Sequence, residues 1–168
     1  MFVIGSLTKD YTLASYKKGV EYLIHDIAKH HLVNKYGYPE DIASLVYDPR
    51  FPIRGLHYDV EKGLFLKVDS SHQVQLGTVY RGRQRLTDQE VAQLYGRRQL
   101  SVSSLEPNLS PSRHHNTQMV QLVDIFSKPE MALMAGVMEH FMRNKLEVQP
   151  ESLHYDVSTS IGEFSQFN

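Results

Sequence analysis

Residues 48–82, DPRFPIRGLHYDVEKGLFLKVDSSHQVQLGTVYRG, constrain this chain more than any other stretch. Leu64, Phe65, Leu66 and Val68 form an apolar run behind Gly63, and Val74, Leu76, Thr78 and Tyr80 alternate after Ser70-Ser71-His72. Alternation with period two, broken by polar residues every few positions, predicts a β-meander or a pair of hairpins. The polar residues inside the run, Arg54, Asp59, Lys67 and Asp69, read as turn-fixing and cross-strand groups before they read as catalytic ones.

Helical patterns flank this strand region. From Ser15 to Lys35, Val20, Leu23, Ile24, Ile27, Ala28 and Leu32 recur at threes and fours, predicting an amphipathic helix that stops at Gly37 and Pro39. A shorter helical turn is expected over Pro39–Leu45. Thr87-Asp88-Gln89-Glu90 is a capping box, with Gly96 closing the helix it opens. Arg97–Asn116 lacks periodicity and reads as a long exposed loop, with Ser110-Pro111 inside it. A short helix is expected over Thr117–Phe126. Ser127-Lys128-Pro129-Glu130 reads as a second capping box, opening a helix to about Lys145 whose Met131, Met134, Val137, Met138, Phe141 and Met142 suit core packing. A last helix from about Glu151 presents Leu153, Val157, Ile161 and Phe164, and Phe2–Leu7 reads as a short buried strand.

Composition narrows the function classes. The chain has 168 residues, formal net charge −1 and no cysteine, so disulfides and thiolate metal sites are excluded and no basic field suggests nucleic acid. No apolar run approaches the ~18 residues of a membrane span. The opening MFVIGSL is short and uncharged for a signal peptide, and the cytosol is the expected compartment. His30-His31 and His114-His115 are adjacent pairs, and neighbours in sequence do not share a face to grip a metal. Arg81, Arg83 and Arg85 alternate, either as a phosphate patch or as a solvated face.

YDPRFPIRGLHYDVEKGLFLKVD followed by QLGTVYRG resembles the cytosolic purine 5′-nucleotidase family and its 5′-nucleotidase domain-containing relatives. The resemblance resumes at DYTLASYKKG and at DIFSKPEMALMAGVMEHF and, with gaps, covers nearly the whole chain. It implies a haloacid-dehalogenase-like α/β fold, represented in part: the first core strand and β-meander over 1–85, and a mainly helical cap region over 86–168. It implies a magnesium-dependent hydrolase of nucleoside 5′-monophosphates. In that superfamily a first strand ends in Asp-x-Asp-x-Thr, whose first aspartate attacks phosphorus and whose second acts as acid and base.

Aligned on Tyr11-Thr12-Leu13, Asp10 takes the acid–base and metal-ligating position, and Thr8 occupies the position of the nucleophile. Without the resemblance, Asp10 reads as a helix N-cap or turn residue. Phe126 falls on an aromatic position that stacks on the purine, although plain core packing explains it equally well. The asparagine that follows it in the purine enzyme is Ser127 here. Ser158, Gly162 and Ser165 stand where that enzyme has Arg, Asp and His. The downstream lysine, hydroxyl and acidic motifs of the superfamily fall beyond the matched region. The expectation is therefore a 5′-nucleotidase-like chain inactive by itself, marginally stable or homo-oligomeric, or paired with a full-length relative. The alternative is a non-catalytic nucleotide-binding or regulatory piece.

Overall fold

The computed structural model describes residues 19–96, 100, 119–123 and 126–165. The expected strand at Phe2–Leu7, Thr8, Asp10 and most of the Arg97–Asn116 loop lie outside the described residues.

The central stretch folds as a meander. Strands β1 (Leu56–Asp59), β2 (Leu64–Leu66), β3 (Tyr80–Arg81) and β4 (Gln84–Arg85) pair antiparallel in succession. Asp59 sets the first turn. Its Oδ1 accepts from Lys62 N–H at 2.9 Å, while Gly63, at φ 67°, returns its N–H to Asp59 O at 2.8 Å. Asp69 acts the same way later, accepting from the N–H groups of Ser71 and Gln73. The turn-fixing reading of these two aspartates holds. The alternation from Val74 to Tyr80 yields less strand than its pattern suggests: Val74 makes a single bridge to Val68, and a turn from Gln75 to Thr78 precedes β3.

Around the sheet lie α1 (Gly19–Tyr36), a 3-10 turn at Glu40–Ser44, α2 (Asp88–Tyr95), α3 (Ser127–Arg143) and α4 (Pro150–Ser165). Helix α1 stops as expected: Gly37 has φ 73° and Tyr38 N–H reaches back to Leu32 O at 3.1 Å. Helix α2 carries the expected capping box between Thr87 and Glu90, and Gly96 ends it.

Two expectations are corrected. The region assigned to a helix at Thr117–Phe126 contains β5 (Met119–Leu122), paired antiparallel with all of β1, so the sheet order is β4-β3-β2-β1-β5. Met-Val-Gln-Leu carries no period of its own, and the partner strand decides its conformation. Helix α3 begins at Ser127 with Phe126 as its N-cap and no side-chain cap bond, so Ser127 is inside the first turn and not its cap.

The fold is thus mixed α/β, an antiparallel sheet with helices on both faces. Leu56, Tyr58, Phe65 and Leu122 project from one face into a core shared with Ile24, Ala28 and Leu32 of α1, Met131, Met134 and Met138 of α3, and Leu153, Val157 and Ile161 of α4. Leu64, Leu66 and Met119 project from the other face onto Val91 of α2. The methionine row of α3 is core, as expected, except that Met142 is 39% exposed. On α1 Ile24, Ala28 and Leu32 are buried as expected, but His25 joins them at 2% exposed while Leu23 is half exposed. The ring of His25 packs near Tyr47, centroids 5.4 Å apart.

Candidate functional site

Of the residues the sequence marks for nucleotide recognition, Phe126 and Ser127 stand at the start of α3 and Ser158 and Gly162 on α4, and a hydrogen bond runs between the two helices there from Ser158 to Glu130. Phe126 is half-buried at the N-terminus of α3 and packs against the main core. One turn on, Glu130 donates its N–H to Phe126 O at 3.1 Å, and its buried side chain accepts a hydrogen bond at Oε1 from Ser158 Oγ of α4. Ser127 is buried beside them. The position of Gly162, one turn beyond Ser158, is open: a Cβ built there meets nothing within 4 Å. The side chain of Ser165, with Thr8 and Asp10, lies outside the described residues.

The seam continues inward. His154 Nε2 lies 3.5 Å from Ser158 Oγ, and its ring stacks on Tyr58 with centroids 5.6 Å apart and planes 19° from parallel. Since the one proton of Ser158 points at Glu130, His154 can meet Oγ only as an Nε2–H donor. Burial holds the His154 imidazole below its usual range, which keeps it neutral near pH 7. Burial pushes the Tyr58 phenol up, with Asp59 and Glu130 adding to the effect. The Tyr58 hydroxyl is buried and finds no hydrogen-bond partner among the described residues. Tyr38 anchors the outer side of α4 by donating to Asp156 Oδ2 at 2.9 Å.

This arrangement joins a carboxylate, a hydroxyl and a neutral imidazole in succession, the imidazole stacked on an aromatic ring. These groups satisfy one another, Ser158 donating to Glu130 and His154 to Ser158. The arrangement supplies no activated nucleophile. Among the described residues no three His, Asp or Glu side chains come together as a metal site. Sequence reasoning assigned Glu130 to a capping box and passed over His154 and Tyr58. The i, i+4 spacing of His154 and Ser158 on an amphipathic helix was the signal available.

A second polar centre is structural. Asp59 is fully buried on the α2 side of the sheet, where Tyr95 donates to its Oδ2 at 2.6 Å and Lys62 Nζ lies 3.4 Å away. Lys62 also sits over the Tyr95 ring, 5.3 Å from its centroid. This trio ties the β1–β2 turn to α2. No helix among the described residues is long and apolar enough to cross a membrane.

Comparison with known proteins identifies the family. The model of the 5′ nucleotidase family matches residues 4–166. The 5′-nucleotidase domain-containing protein 2 of Homo sapiens is 43% identical over 155 residues, covering 90% of this chain and 29% of that protein. Its Rattus norvegicus counterpart is 44% identical over 155 residues, covering 90% and 27%. A 5′-nucleotidase domain-containing protein of Dictyostelium discoideum is 39% identical over 153 residues, covering 91% and 24%. The chain spans about a quarter of the length of the curated relatives it matches. A match across nearly all of the chain, from residue 4 to residue 166, is decisive: this chain belongs to the 5′ nucleotidase family.

Proposed function

We propose that this chain is the recognition part of a haloacid-dehalogenase-like 5′-nucleotidase, a cytosolic magnesium-dependent hydrolase by family. In this reading it binds a nucleoside 5′-monophosphate across the α3–α4 seam and does not turn it over by itself. The observation that carries this reading is the Glu130–Ser158 hydrogen bond, which joins the turn after Phe126 to the helix bearing the other candidate residues. Phe126 offers a ring for the base in this reading. Gly162 stands where the purine enzyme carries an acidic side chain, so base selection differs from that enzyme's in this reading.

Turnover is another matter. Asp10 stands at the acid–base and magnesium-binding position, and Thr8 at the position of the nucleophile. A threonine hydroxyl is neutral and needs an adjacent base before it attacks phosphorus. Magnesium enters this proposal through Asp10.

Two measurements on the purified chain test this. Calorimetric titration with inosine, guanosine or adenosine monophosphate should show binding that Phe126→Ala weakens about three- to tenfold, the range of one aromatic contact. Phosphate release with magnesium should stay at background in wild type and in Asp10→Asn. Turnover that Asp10→Asn abolishes would refute the non-catalytic part, and absence of any binding would refute the recognition part.

A further inference from the structure

A cavity of about 420 Å³ lies between α1 and residues 45–47, and no residue of α3 or α4 lines it. Its volume falls within the range of about 300–1,000 Å³ that small-molecule pockets occupy. The 3-10 turn at Glu40–Ser44 ends in extended backbone at Leu45, with φ −61° and ψ 136°, so the side chains that follow alternate in direction. Leu45 seats against Gly136 of α3, where a built Cβ would lie 3.2 Å from its Cδ1. Tyr47 is buried and donates to Glu21 Oε2 at 2.8 Å. Val46, between them, stands 76% exposed at the rim.

Tyr22 and Leu23 form the opposite rim, each half exposed. Tyr22 meets Tyr47 edge to face, with centroids 4.9 Å apart and planes at 84°, which makes a fixed aromatic corner. Exposed apolar side chains scattered singly carry no message, but three gathered around one hollow mark a binding surface.

The floor is polar. His25 is buried, lines the cavity and lies with its ring 5.4 Å from that of Tyr47. Neither of its ring nitrogens has a hydrogen-bond partner among the described residues. Unlike His57 Nδ1 and the Tyr58 hydroxyl, they are not closed off inside the protein, so the ring meets solvent through this cavity. Burial, then Lys29, keeps the imidazole neutral near pH 7, with one N–H to donate and one nitrogen to accept. One turn further on, Lys29 Nζ donates to Leu45 O at 3.1 Å and lies 2.8 Å from Asp26 Oδ1, which offsets its charge. The polar end of the cavity therefore selects for no net charge.

We propose that this cavity binds a small neutral aromatic molecule carrying an N–H or O–H group, with its ring against the Tyr22–Tyr47 corner and its polar hydrogen on the accepting nitrogen of His25. An aliphatic molecule would fill the rim but forgo the edge-to-face contacts a third ring makes there. A molecule without a polar hydrogen would leave the buried imidazole unpartnered, which costs the complex one hydrogen bond. The site shares no residue with the α3–α4 seam, so its test stands apart from that of nucleotide binding.

The full 168-residue chain contains no tryptophan, so the fluorescence of indole reports its binding directly. Indole should bind saturably, and 1-methylindole, the same ring system without the N–H, should bind about three- to tenfold more weakly, the range of one hydrogen bond. Tyr22→Ala should weaken both probes about three- to tenfold, and Val46→Ser should weaken both as well. Tyr155→Ala, an exposed tyrosine of α4 outside the cavity, should change nothing. His25→Leu should bind the two probes equally. If that variant does not fold, the wild-type chemical shift of a His25 ring nitrogen answers the same question, moving with indole and not with 1-methylindole. The proposal fails if neither probe binds saturably, if wild type binds both alike, or if a folded His25→Leu keeps the preference for indole. It fails too if Tyr155→Ala costs as much as Tyr22→Ala, which would mean diffuse contact with surface rings and no site.

Discussion

Replacing Gly63 by alanine should destabilise the protein by about 2–4 kcal/mol, from a left-handed backbone and from crowding together. Gly63 closes the β1–β2 turn at φ 67°, and a Cβ built there lies 2.8 Å from Met138 Cε and 3.0 Å from Pro150 Cβ and Cγ. A side chain in the left-handed region costs about 1–2 kcal/mol. Overpacking adds about 1–3 kcal/mol. The Met138 methyl is the end of a flexible chain and can swing aside, whereas the Pro150 ring opens α4 and cannot. A smaller unfolded-state entropy returns about 0.4–1 kcal/mol. Gly37 provides the control: its φ is 73°, yet nothing lies within 4 Å of a built Cβ, so Gly37→Ala should cost only the backbone part. Urea unfolding followed by circular dichroism and by tyrosine fluorescence measures both, and coincident curves establish a two-state transition. With a slope of about 2 kcal/mol per M, the Gly63→Ala midpoint should fall by about 1–2 M and the Gly37→Ala midpoint by about half that or less. Asparagine tolerates positive φ, so Gly37→Asn should be nearly neutral while Gly63→Asn remains strongly destabilised. Equal midpoints for the two alanine variants would refute the close-packing argument.

His25 should make the protein acid-sensitive. Burial, then the neighbouring Lys29, lowers its pKa from 6.5 to about 4, so below pH 6.5 the unfolded chain takes up a proton that the folded one refuses. Stability from this group is level above that pH, falls by about 3 kcal/mol on the way down to pH 4, and levels again; His25→Gln should flatten this segment of the pH–stability curve. Tyr95→Phe removes the hydroxyl that Asp59 accepts from and should cost about 1–3 kcal/mol. Its effect should be non-additive with Lys62→Met in a double-mutant cycle, because both groups serve the same buried carboxylate. Thr87→Ala, which opens the α2 capping box, should cost about 1 kcal/mol, read as a shift in thermal midpoint.

The parts legible in the sequence are those where a local signal and the tertiary context agree. Gly37 and Gly96 end helices because each has the positive φ that a helix stop requires, and Thr87 with Glu90 satisfies backbone groups within its own turn. The meander announced itself because apolar residues repeat on the faces that both cores cover. Strand β5 did not. Met119 to Leu122 form a strand because β1 offers them hydrogen bonds, and nothing within four residues encodes that partner. Ser127 and Glu130 match a capping pattern by spacing, yet Glu130 is drawn to Ser158 on another helix. On α1 a buried histidine beside an exposed leucine inverts the usual ranking, so the apolar pattern found Ile24, Ala28 and Leu32 but misplaced Leu23 and passed over His25. For the candidate site, the sequence named Phe126 and Ser158 through a resemblance to a known motif. His154 and Tyr58 were not legible that way, since their stacking arises where a helix crosses a strand.

Strand β1 has one neighbour close in sequence and one far from it. Strand β2 follows directly after the Val60–Gly63 turn, while β5 arrives only after β2, β3, β4 and α2 have been made. Closing a longer loop costs more entropy, so the hairpin half of the sheet has the kinetic lead and the β1–β5 zipper closes late. Until it does, β1 presents a row of free N–H and C=O groups flanked by Leu56 and Tyr58, and the strand nearest at hand need not belong to the same molecule. Refolding yield should therefore fall as protein concentration rises, with swapped dimers joined through β5 as the product to look for by size-exclusion chromatography.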